Sequence, residues 1–346
     1  IDRGLVGSEM CIRDRDKILL NQGSSISSIQ PFELIFSNDY SKNNYLFHMI
    51  EEIYLKKAIV EKINKCPNIE YLYSSNVVEQ FIDKNSTKLV LDNGQIIYSD
   101  LIVGSDGYPS SSAKKAGIQH INYSYNQSSI VGIFKHEIPH ESEAVQIFLP
   151  SGPLAILPLS GNRSSFVWTN ETNEAVRIFN LNDLNFLNEL NTAFQNRRGQ
   201  IQLESKKSMF PISLTIPKKV TKERFVIIGD TAHKIHPIAG QGLNLGIRDV
   251  AALAEVLILS RRLGEDIGSK LVLNKYSKWR NLDVTSVVFF TNFANKIFSN
   301  DNFLKKFATG IGFKLLNESK TIKNYFISEA SGLSGDIPKL LKGCKL

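Results

Sequence analysis

The first hundred residues mix two hydrophobic periods. Apolar residues spaced three and four apart over 45–63 predict a helix. Short alternating or continuous apolar runs, separated by Asn, Asp and Gly turns, predict strands at 32–36, 69–73, 88–91 and 95–98. Asp92-Asn93-Gly94 joins the last two runs, and Asn-Gly is a strong hairpin signal. This mixture predicts an α/β chain.

The pattern changes near residue 123. Polar and apolar residues then alternate in four runs, which predict an antiparallel sheet, and a helix is predicted near 184–197. The four runs are 129–134, 145–149, 155–157 and 165–169. An antiparallel sheet inserted into an α/β chain is expected to bind the substrate.

Two apolar runs flank this insertion. Residues 101–103 predict a strand that is buried on both faces. The loop after Gly104, at the C-terminal end of this strand, is expected to contact a ligand. Residues 225–228 predict a second buried parallel strand, and 242–259 predict a long helix with one apolar face. The chain is therefore expected to return to its first domain after the insertion.

Composition narrows the choice of partners. The 41 Lys and Arg residues outnumber the 34 Asp and Glu residues, but they are scattered without interleaved aromatic residues, so no nucleic-acid partner is predicted. An anionic cofactor or an anionic membrane surface suits this charge better. No apolar run is long enough to span a membrane. The three cysteines lack CxxC spacing and a nearby His pair, so neither a metal site nor a disulfide framework is predicted, and a cytoplasmic location fits.

The candidate chemistry lies where the second of these strands ends. Gly229 lets the chain approach a ligand, and the Asp230 carboxylate can accept hydrogen bonds from ribitol or ribose hydroxyls. Gly240 and Gly242 keep side chains away from a flat ring, and the amides of the following helix can stabilise negative charge there. Asn244 can add hydrogen bonds from the first helical turn. Each residue alone is typical of an ordinary turn, but glycines this dense would weaken a purely structural helix start.

These residues carry a family resemblance. The runs RFVIIGDTAH at 224–233 and HPIAGQGLNLGIRD at 236–249 resemble the second flavin motif of the group A flavoprotein monooxygenases, and in particular of the ubiquinone-biosynthesis hydroxylases. Gly104-Ser105-Asp106-Gly107 resembles the Asp-Gly motif of that family. Residues 140–168 resemble its mid-domain pattern. Residues 276–280, 283 and 298–299 resemble its C-terminal helices, and 330–338 resemble its ending. The resemblance covers 16–343.

The resemblance implies an α/β fold with an α+β insertion. An FAD/NAD(P)-binding Rossmann-like domain of the p-hydroxybenzoate-hydroxylase type is expected, with an antiparallel substrate domain and C-terminal helices. The first βαβ unit of the family, which carries GxGxxG and cradles ADP, is expected to precede Asp16, so the chain is expected to be N-terminally truncated.

The domain boundaries follow from these changes of pattern. Residues 4–15 resemble translated sequencing-adapter sequence and show no periodicity, so 1–15 are expected to be a non-native or disordered tail. The remaining chain is predicted to form strands of the substrate domain at 16–45, part of the FAD-binding domain at 46–122, the substrate-binding β-sheet domain at 123–219, the return of the FAD-binding domain at 220–262, and a C-terminal helical region at 263–346.

The resemblance also implies residue roles. Asp230 is expected to contact the ribityl and pyrophosphate region, Pro237 to lie beside the ring, and Asp106 with Gly107 to handle the flavin and NAD(P)H. His236 is expected near the ring, but a structural or loop-shaping role is preferred to a chemical one, so no catalytic base is assigned. The remaining residues predicted to bind the cofactor are Gly229, Gly240, Gln241, Gly242, Leu243, Asn244 and Leu245.

One position departs from the family pattern. The family usually places an arginine six residues after Gly107, whereas this chain has Ala113 followed by Lys114 and Lys115. The positive charge that would help to hold the motif or NAD(P)H is therefore shifted or lost.

The implied reaction uses NAD(P)H to reduce FAD and O2 to form a flavin C4a-hydroperoxide, which transfers an oxygen atom to the aromatic ring of a polyprenylated phenol in ubiquinone biosynthesis. Such a lipophilic substrate suggests peripheral contact with the inner face of the membrane, through the Phe- and Lys-bearing C-terminal helices, and membership of a quinone-biosynthesis complex. Ordinary packing of these amphipathic helices on their own domain is the alternative. Two alternatives remain open at this point. One is another flavin monooxygenase or reductase that acts on a small aromatic or isoprenoid, and the other is a non-catalytic scaffold subunit.

Overall fold

The computed structural model describes the backbone of residues 12–15, 17–22, 33–37, 47–236, 240–298 and 335–346, and the side chains of 49–236, 240–289 and 335–346. The described residues fall into two compact units. The first unit contains those within Ile1–Pro67, Asn126–Ile212 and Phe293–Ser331, and the second contains those within Asn68–Tyr125, Ser213–Asn292 and Gly332–Leu346.

The described chain contains the following elements. The strands are β1 (Ile12–Arg15), β2 (Lys17–Gln22), β3 (Glu33–Ser37), β4 (Phe47–Ile50), β5 (Val77–Ile82), β6 (Thr87–Leu91), β7 (Ile96–Ser99), β8 (Ile102–Gly104), β9 (His120–His136), β10 (Glu143–Leu149), β11 (Gly152–Pro158), β12 (Arg163–Glu171), β13 (Ile201–Leu203), β14 (Ser208–Pro217), β15 (Thr221–Lys222) and β16 (Phe225–Ile227). The helices are α1 (Glu52–Asn64), α2 (Ser111–Lys115), α3 (Thr172–Phe179), α4 (Asp183–Ala193), α5 (Gly242–Arg262) and α6 (Lys270–Phe298).

An eight-stranded sheet dominates the first unit. Its order is β13-β9-β12-β11-β10-β2-β3, with β14 paired to β9. Strands β9, β12, β11 and β10 are antiparallel neighbours, and β2 joins β10 in parallel. The antiparallel sheet predicted from the alternating runs is therefore confirmed.

One face of this sheet forms the core of the first unit. Alternate side chains of a strand share a face, and the register brings Phe166 opposite Gly132 and Trp168 opposite Ile130. A Cβ at position 132 would lie 2.8 Å from the Phe166 ring, so only glycine fits there. Helices α3 and α4 cover this face. The core residues are Ile130, Phe134, Val145, Ile147, Leu154, Ile156, Phe166, Trp168, Ile178, Phe186, Leu190 and Phe194.

The second unit places helices on both sides of a short parallel pair, β16 and β8. Phe225 and Ile227 pack on one side with Ala113 of α2, whereas Val226 between them packs on the other side with α5 and α6. All three residues of β16 are fully buried, which explains their uninterrupted apolar sequence. The predicted β16 strand and α5 helix are thus confirmed.

A separate three-stranded meander, β5-β6-β7, completes the sheets of the second unit. Its β6-β7 hairpin turns at Asn93-Gly94, where Gly94 has φ +81°, as the Asn-Gly signal predicted. None of the helices in the described ranges combines the length and the apolar composition that crossing a lipid bilayer requires.

Three local predictions are corrected by the structure. The helix predicted for 45–63 begins only at Glu52, because 47–50 form β4, whose backbone pairs with β1. Residues 69–73 form no strand. Their side chains, including Tyr71 and Tyr73, are largely exposed, and no strand in the described ranges pairs with them. Strand β8 is buried on one face only, because Val103 is 40% exposed.

Part of the predicted tail forms a strand. Ile12–Arg15 form β1, which pairs antiparallel with Phe47–Ile50. The tail was expected to lack structure through residue 15 because it has no periodicity, but a four-residue strand is too short to show one. The roles assigned to the predicted domains stay predictions.

Candidate cofactor site

The turn after β16 presents Asp230. Gly229–Thr231 form a single 3-10 turn, and Gly229 has φ +59°, a conformation that strains any residue with a Cβ. The Asp230 side chain is exposed, and apart from the chain neighbours of residue 229 no atom of the described residues lies within 4 Å of the place where its Cβ would be. The turn therefore offers a carboxylate beside an open stretch of backbone.

Helix α5 begins directly against this turn. A Cβ at Gly246 would lie 3.3 Å from the Gly229 Cα, and a Cβ at Gly242 would lie 4.0 Å from Asp230 Oδ1. The glycine at 246 thus allows the close approach of helix and turn, whereas the glycine at 242 leaves ordinary space near the carboxylate. The predicted grouping of Gly229, Asp230 and Gly242 is present in the structure.

The first turn of α5 has backbone donors that no acceptor within the helix can satisfy. Gln241 is the N-cap residue and makes no side-chain cap, and the first intrahelical bond runs from the Leu245 N–H to the Gln241 carbonyl. The amides of residues 242–244 therefore lack intrahelical acceptors. Leu243 and Asn244 are exposed beside them. These donors and the helix dipole favour a partial negative charge at this end of α5.

The other predicted residues of the loop differ in exposure. Gly240 has φ +61°, and apart from its chain neighbours no described residue has an atom within 4 Å of the position of its missing Cβ; Gln241 is buried. Leu245 is 1% exposed and packs against Ile235 and Val287, so its side chain belongs to the core. Pro237 lies outside the described residues.

The Asp106 carboxylate accepts hydrogen bonds from residues of its own loop. It accepts hydrogen bonds from Ser110 Oγ at 2.7 Å, from Ser112 Oγ at 2.6 Å and from the Ser112 N–H at 2.9 Å. Partial burial opposes ionisation, but these bonds outweigh it and lower the pKa of Asp106 to about 2. Ser110 also caps α2 through the Ala113 N–H. Asp106 therefore shapes this loop rather than presenting free oxygens.

The Asp106 loop is joined to the Asp230 turn through Thr231. The Gly107 N–H donates to Thr231 Oγ1 at 2.8 Å, and Thr231 Oγ1 lies 3.4 Å from Asp106 Oδ1. His120 Nε2 lies 2.9 Å from the Thr231 carbonyl. The structure therefore brings the two motifs together. At the position of the missing family arginine, Ala113 is buried in the core, and Lys114 and Lys115 are exposed.

His236 is fully buried beside Tyr125. The two ring centroids are 5.0 Å apart and nearly perpendicular. Burial lowers the pKa of His236 to about 4. Burial is also the main reason why the pKa of Tyr125 rises to about 12, and the nearby Tyr123 adds to this increase. Both side chains are thus neutral at physiological pH, and His236 carries no proton to donate as an imidazolium.

A buried carboxylate behind the turn was missed from the sequence. Asp249 of α5 is 1% exposed, and its Oδ2 accepts from the Gly229 N–H at 2.9 Å and from His233 Nε2 at 2.6 Å. Its Oδ1 accepts from Arg280 Nε at 2.6 Å. Arg280 also bonds to Asp283, which pairs with Arg248 at 2.9 Å.

This network holds the turn at both ends, because the Gly229 N–H and the His233 ring bind the same oxygen. Burial opposes ionisation of Asp249, but His233 and Arg280 hold its pKa below the ordinary value. A sequence signal did exist. Asp249 lies four residues after Leu245, on the apolar face of α5, and a buried charge requires a partner.

The residues present fit a flavin nucleotide. Exposed Asp230 can accept from ribityl hydroxyls, the open backbone at Gly229 and Gly240 lets a flat ring lie close, and the amides at the start of α5 can donate to ring oxygens. All of these groups lie in the second unit.

Comparison with known proteins agrees with this fit. The FAD binding domain family matches residues 45–291. Ubiquinone hydroxylase UbiL of Rhodospirillum rubrum is 33% identical over 302 residues, which cover 86% of this chain and 70% of that protein. The mitochondrial ubiquinone biosynthesis monooxygenase COQ6 of Mus musculus is 29% identical over 61% of this chain and 52% of its own length.

The fold is also similar to solved structures. The p-nitrophenol 4-monooxygenase PnpA from Pseudomonas putida DLL-E4 superposes with a TM-score of 0.77 at 16% identity, over 94% of this chain and 82% of that one. This similarity confirms the predicted fold class of the p-hydroxybenzoate-hydroxylase type. The predicted family, the FAD cofactor and an oxidoreductase activity are confirmed as well, and NAD(P)H is the usual reductant of the family. The chain belongs to the FAD binding domain family and is an FAD-dependent monooxygenase.

Proposed function

We propose that this protein hydroxylates the aromatic ring of a polyprenylated phenol in ubiquinone biosynthesis, with NAD(P)H and O2 as co-substrates. The observation that carries the proposal is the exposed Asp230 held beside the open start of α5, in a chain 33% identical to the ubiquinone hydroxylase UbiL. The relatives whose names include ubiquinone favour this activity over the hydroxylation of a small soluble aromatic compound and over a scaffold role.

The proposed roles follow the geometry of the second unit. Asp230 accepts from the ribityl hydroxyls, and Gly229 and Gly240 keep the backbone open to the ring. The amides of residues 242–244 hold negative charge on the pyrimidine end. Leu243 and Asn244 border the ring at the first turn of α5, and Pro237 is proposed to lie beside it. Bound FAD supplies the redox chemistry with O2.

Three predicted residues take different roles in this proposal. Asp106 acts through Thr231, since its oxygens are bound to Ser110 and Ser112. Gly107 contributes its N–H to the same threonine. Leu245 supports α5 from the core instead of contacting the ring. The unit built on the eight-stranded sheet is proposed to bind the phenol.

The substrate class suggests a place of action. A polyprenylated phenol is a membrane lipid, and the chain carries a formal net charge of +7. We therefore propose peripheral contact with the cytoplasmic face of an anionic membrane and association with other quinone-biosynthesis enzymes. Co-sedimentation with anionic and with zwitterionic vesicles at low salt tests the membrane contact. Failure of the protein to bind either kind of vesicle would contradict the proposed contact.

Product analysis tests the activity. The protein is reconstituted with FAD, supplied with NADH or NADPH and 18O2, and given a short-chain prenylated phenol. We expect one labelled oxygen atom in the product ring. Asp230→Ala should lose flavin and hydroxylation together, whereas Glu70→Gln, which alters an exposed carboxylate of the same unit, should retain both. A protein that binds FAD but leaves the phenol unlabelled would refute the proposed substrate.

A further inference from the structure

A cavity of about 130 Å³ lies in the second unit, next to the residues that hold the Gly229 turn. It is bounded by the end of β14, by the segment around His233 and by α6. Ile216, Val220, Val284 and Val288 form much of its wall. None of the residues assigned above to direct flavin contact lines this cavity.

Two buried side chains give the cavity a polar end. His233 and Arg280 line it and are 2% and 3% exposed. His233 Nε2 is bound to Asp249, and Arg280 Nε and Nη1 are bound to Asp249 and Asp283. His233 Nδ1 and Arg280 Nη2 have no hydrogen-bond partner within the described ranges. Buried polar atoms left unpaired are unfavourable, so these two nitrogens favour a polar occupant of the cavity that their side chains line.

The ion pairs around this end favour a neutral occupant. The carboxylates of Asp249 and Asp283 balance the guanidinium groups of Arg280 and Arg248. With His233 in its neutral form, an anion in the cavity would therefore add an uncompensated buried charge. In the neutral tautomer of His233 that donates from Nε2 to Asp249, Nδ1 is an acceptor. The polar end thus offers one acceptor on His233 and donors on Arg280.

We propose that this cavity binds a compact neutral molecule that carries one hydroxyl group on an apolar body. The hydroxyl oxygen accepts from Arg280 Nη2, and its proton is donated to His233 Nδ1. The apolar body packs against Val220, Val284 and Val288. A single ring suits the space, since a protein cavity of about 150 Å³ accommodates benzene. Such a molecule would contact the same His233 and Arg280 that hold Asp249, and its binding does not depend on the proposed hydroxylation.

Three compounds that share a five-membered ring distinguish the ligand class. Cyclopentanol can both accept and donate a hydrogen bond, cyclopentanone can only accept one, and cyclopentanecarboxylate is an anion. We expect isothermal titration calorimetry of the protein to show cyclopentanol binding about tenfold more tightly than cyclopentanone, because the ketone leaves His233 Nδ1 unpaired. Tighter binding of the ketone or of the carboxylate overturns the proposal, as does no binding of cyclopentanol, which leaves ordered water as the occupant.

A matched pair of variants locates the binding. Val284→Phe fills the cavity and should weaken cyclopentanol binding by at least about tenfold. Leu282→Phe adds the same ring to an exposed position of α6, 78% exposed, and should leave the affinity unchanged. If Val284→Phe does not fold, methyl NMR of the unmodified protein decides. Cyclopentanol should then shift the Val220, Val284 and Val288 methyl signals, and shifts confined to other valines overturn the proposal.

Discussion

The backbone N–H of Gly229 donates to Oδ2 of Asp249 at 2.9 Å, across twenty positions of sequence. The same oxygen binds His233, and the other oxygen binds Arg280. A single buried carboxylate on α5 therefore fixes the turn that presents Asp230. The proposed flavin contacts depend on this anchor, although the buried Asp249 side chain is not one of them.

Removing the charge of Asp249 should destabilise the protein. In Asp249→Asn, the amide oxygen can still accept from Gly229, but the Arg280 guanidinium loses one of its two carboxylate partners. A buried ion that loses a partner costs about 3 kcal/mol or more in the free energy of unfolding. Urea denaturation measures this loss.

Glu265→Gln is the control for this variant. It neutralises a carboxylate that pairs with Lys275 at 2.6 Å on the surface, where water screens the ion pair. Its loss of stability should be much smaller than that of Asp249→Asn. Equal losses for the two variants would show that the buried network does not hold the turn.

Gly246→Ala should separate cofactor binding from stability. The new Cβ would lie 3.3 Å from Gly229 Cα, so the turn must shift, and we expect FAD binding to weaken by roughly tenfold. Alanine is also the better helix former by about 1 kcal/mol, which offsets the strain in the apoprotein. Flavin fluorescence titration measures the affinity, and thermal unfolding of the apoprotein measures stability.

Val250→Ala serves as the reference on the same helix. Val250 is 53% exposed, so its truncation should change neither the FAD affinity nor the fold. If Gly246→Ala binds FAD as tightly as Val250→Ala does, the close approach of α5 to Gly229 has no influence on the cofactor.

The sequence revealed the parts of this site that are local in the chain. An apolar run, Gly229-Asp230 and the helical spacing after Gly242 are neighbours in sequence, so β16, the turn and α5 could all be predicted. Asp249 and Arg280 are 31 positions apart, and hydrophobic periodicity carries no information about which charges meet across two helices.

The same limit explains the errors in the fold. Residues 47–50 are apolar at a spacing compatible with a helix, and only their pairing with distant Ile12–Arg15 makes them a strand. The hydrogen bonds that Ser110 and Ser112 donate to Asp106 were not predicted either. Which partner a carboxylate has depends on loop geometry, which a motif alone does not specify.

Acid titration should reveal the bonds to Asp106. Its pKa in the folded protein is about 2, below the ordinary value of 3.8, so its contribution to stability is complete above the ordinary value and is lost as the pH falls through about 2. Asp106→Asn should therefore show a shallower loss of stability over that interval than the unmodified protein. Identical acid unfolding curves would mean that the serine bonds do not favour the ionised carboxyl.

His236 should make the protein sensitive to mild acid. Its pKa falls from 6.5 to about 4 on burial, so the unfolded chain binds a proton between these values and the folded chain does not. Stability is then greatest above pH 6.5 and declines as the pH falls to about 4, by roughly 3 kcal/mol at 1.36 kcal/mol per pH unit.

His236→Gln removes this titration. Urea unfolding at several pH values between neutrality and about pH 4 should show a flatter stability profile for the variant than for the unmodified protein. The variant is expected to be less stable at neutral pH, because glutamine does not reproduce the perpendicular ring contact with Tyr125. The slope of the profile, and not the absolute stability, therefore decides whether His236 is buried in its neutral form. Parallel profiles would place its protonation outside this interval.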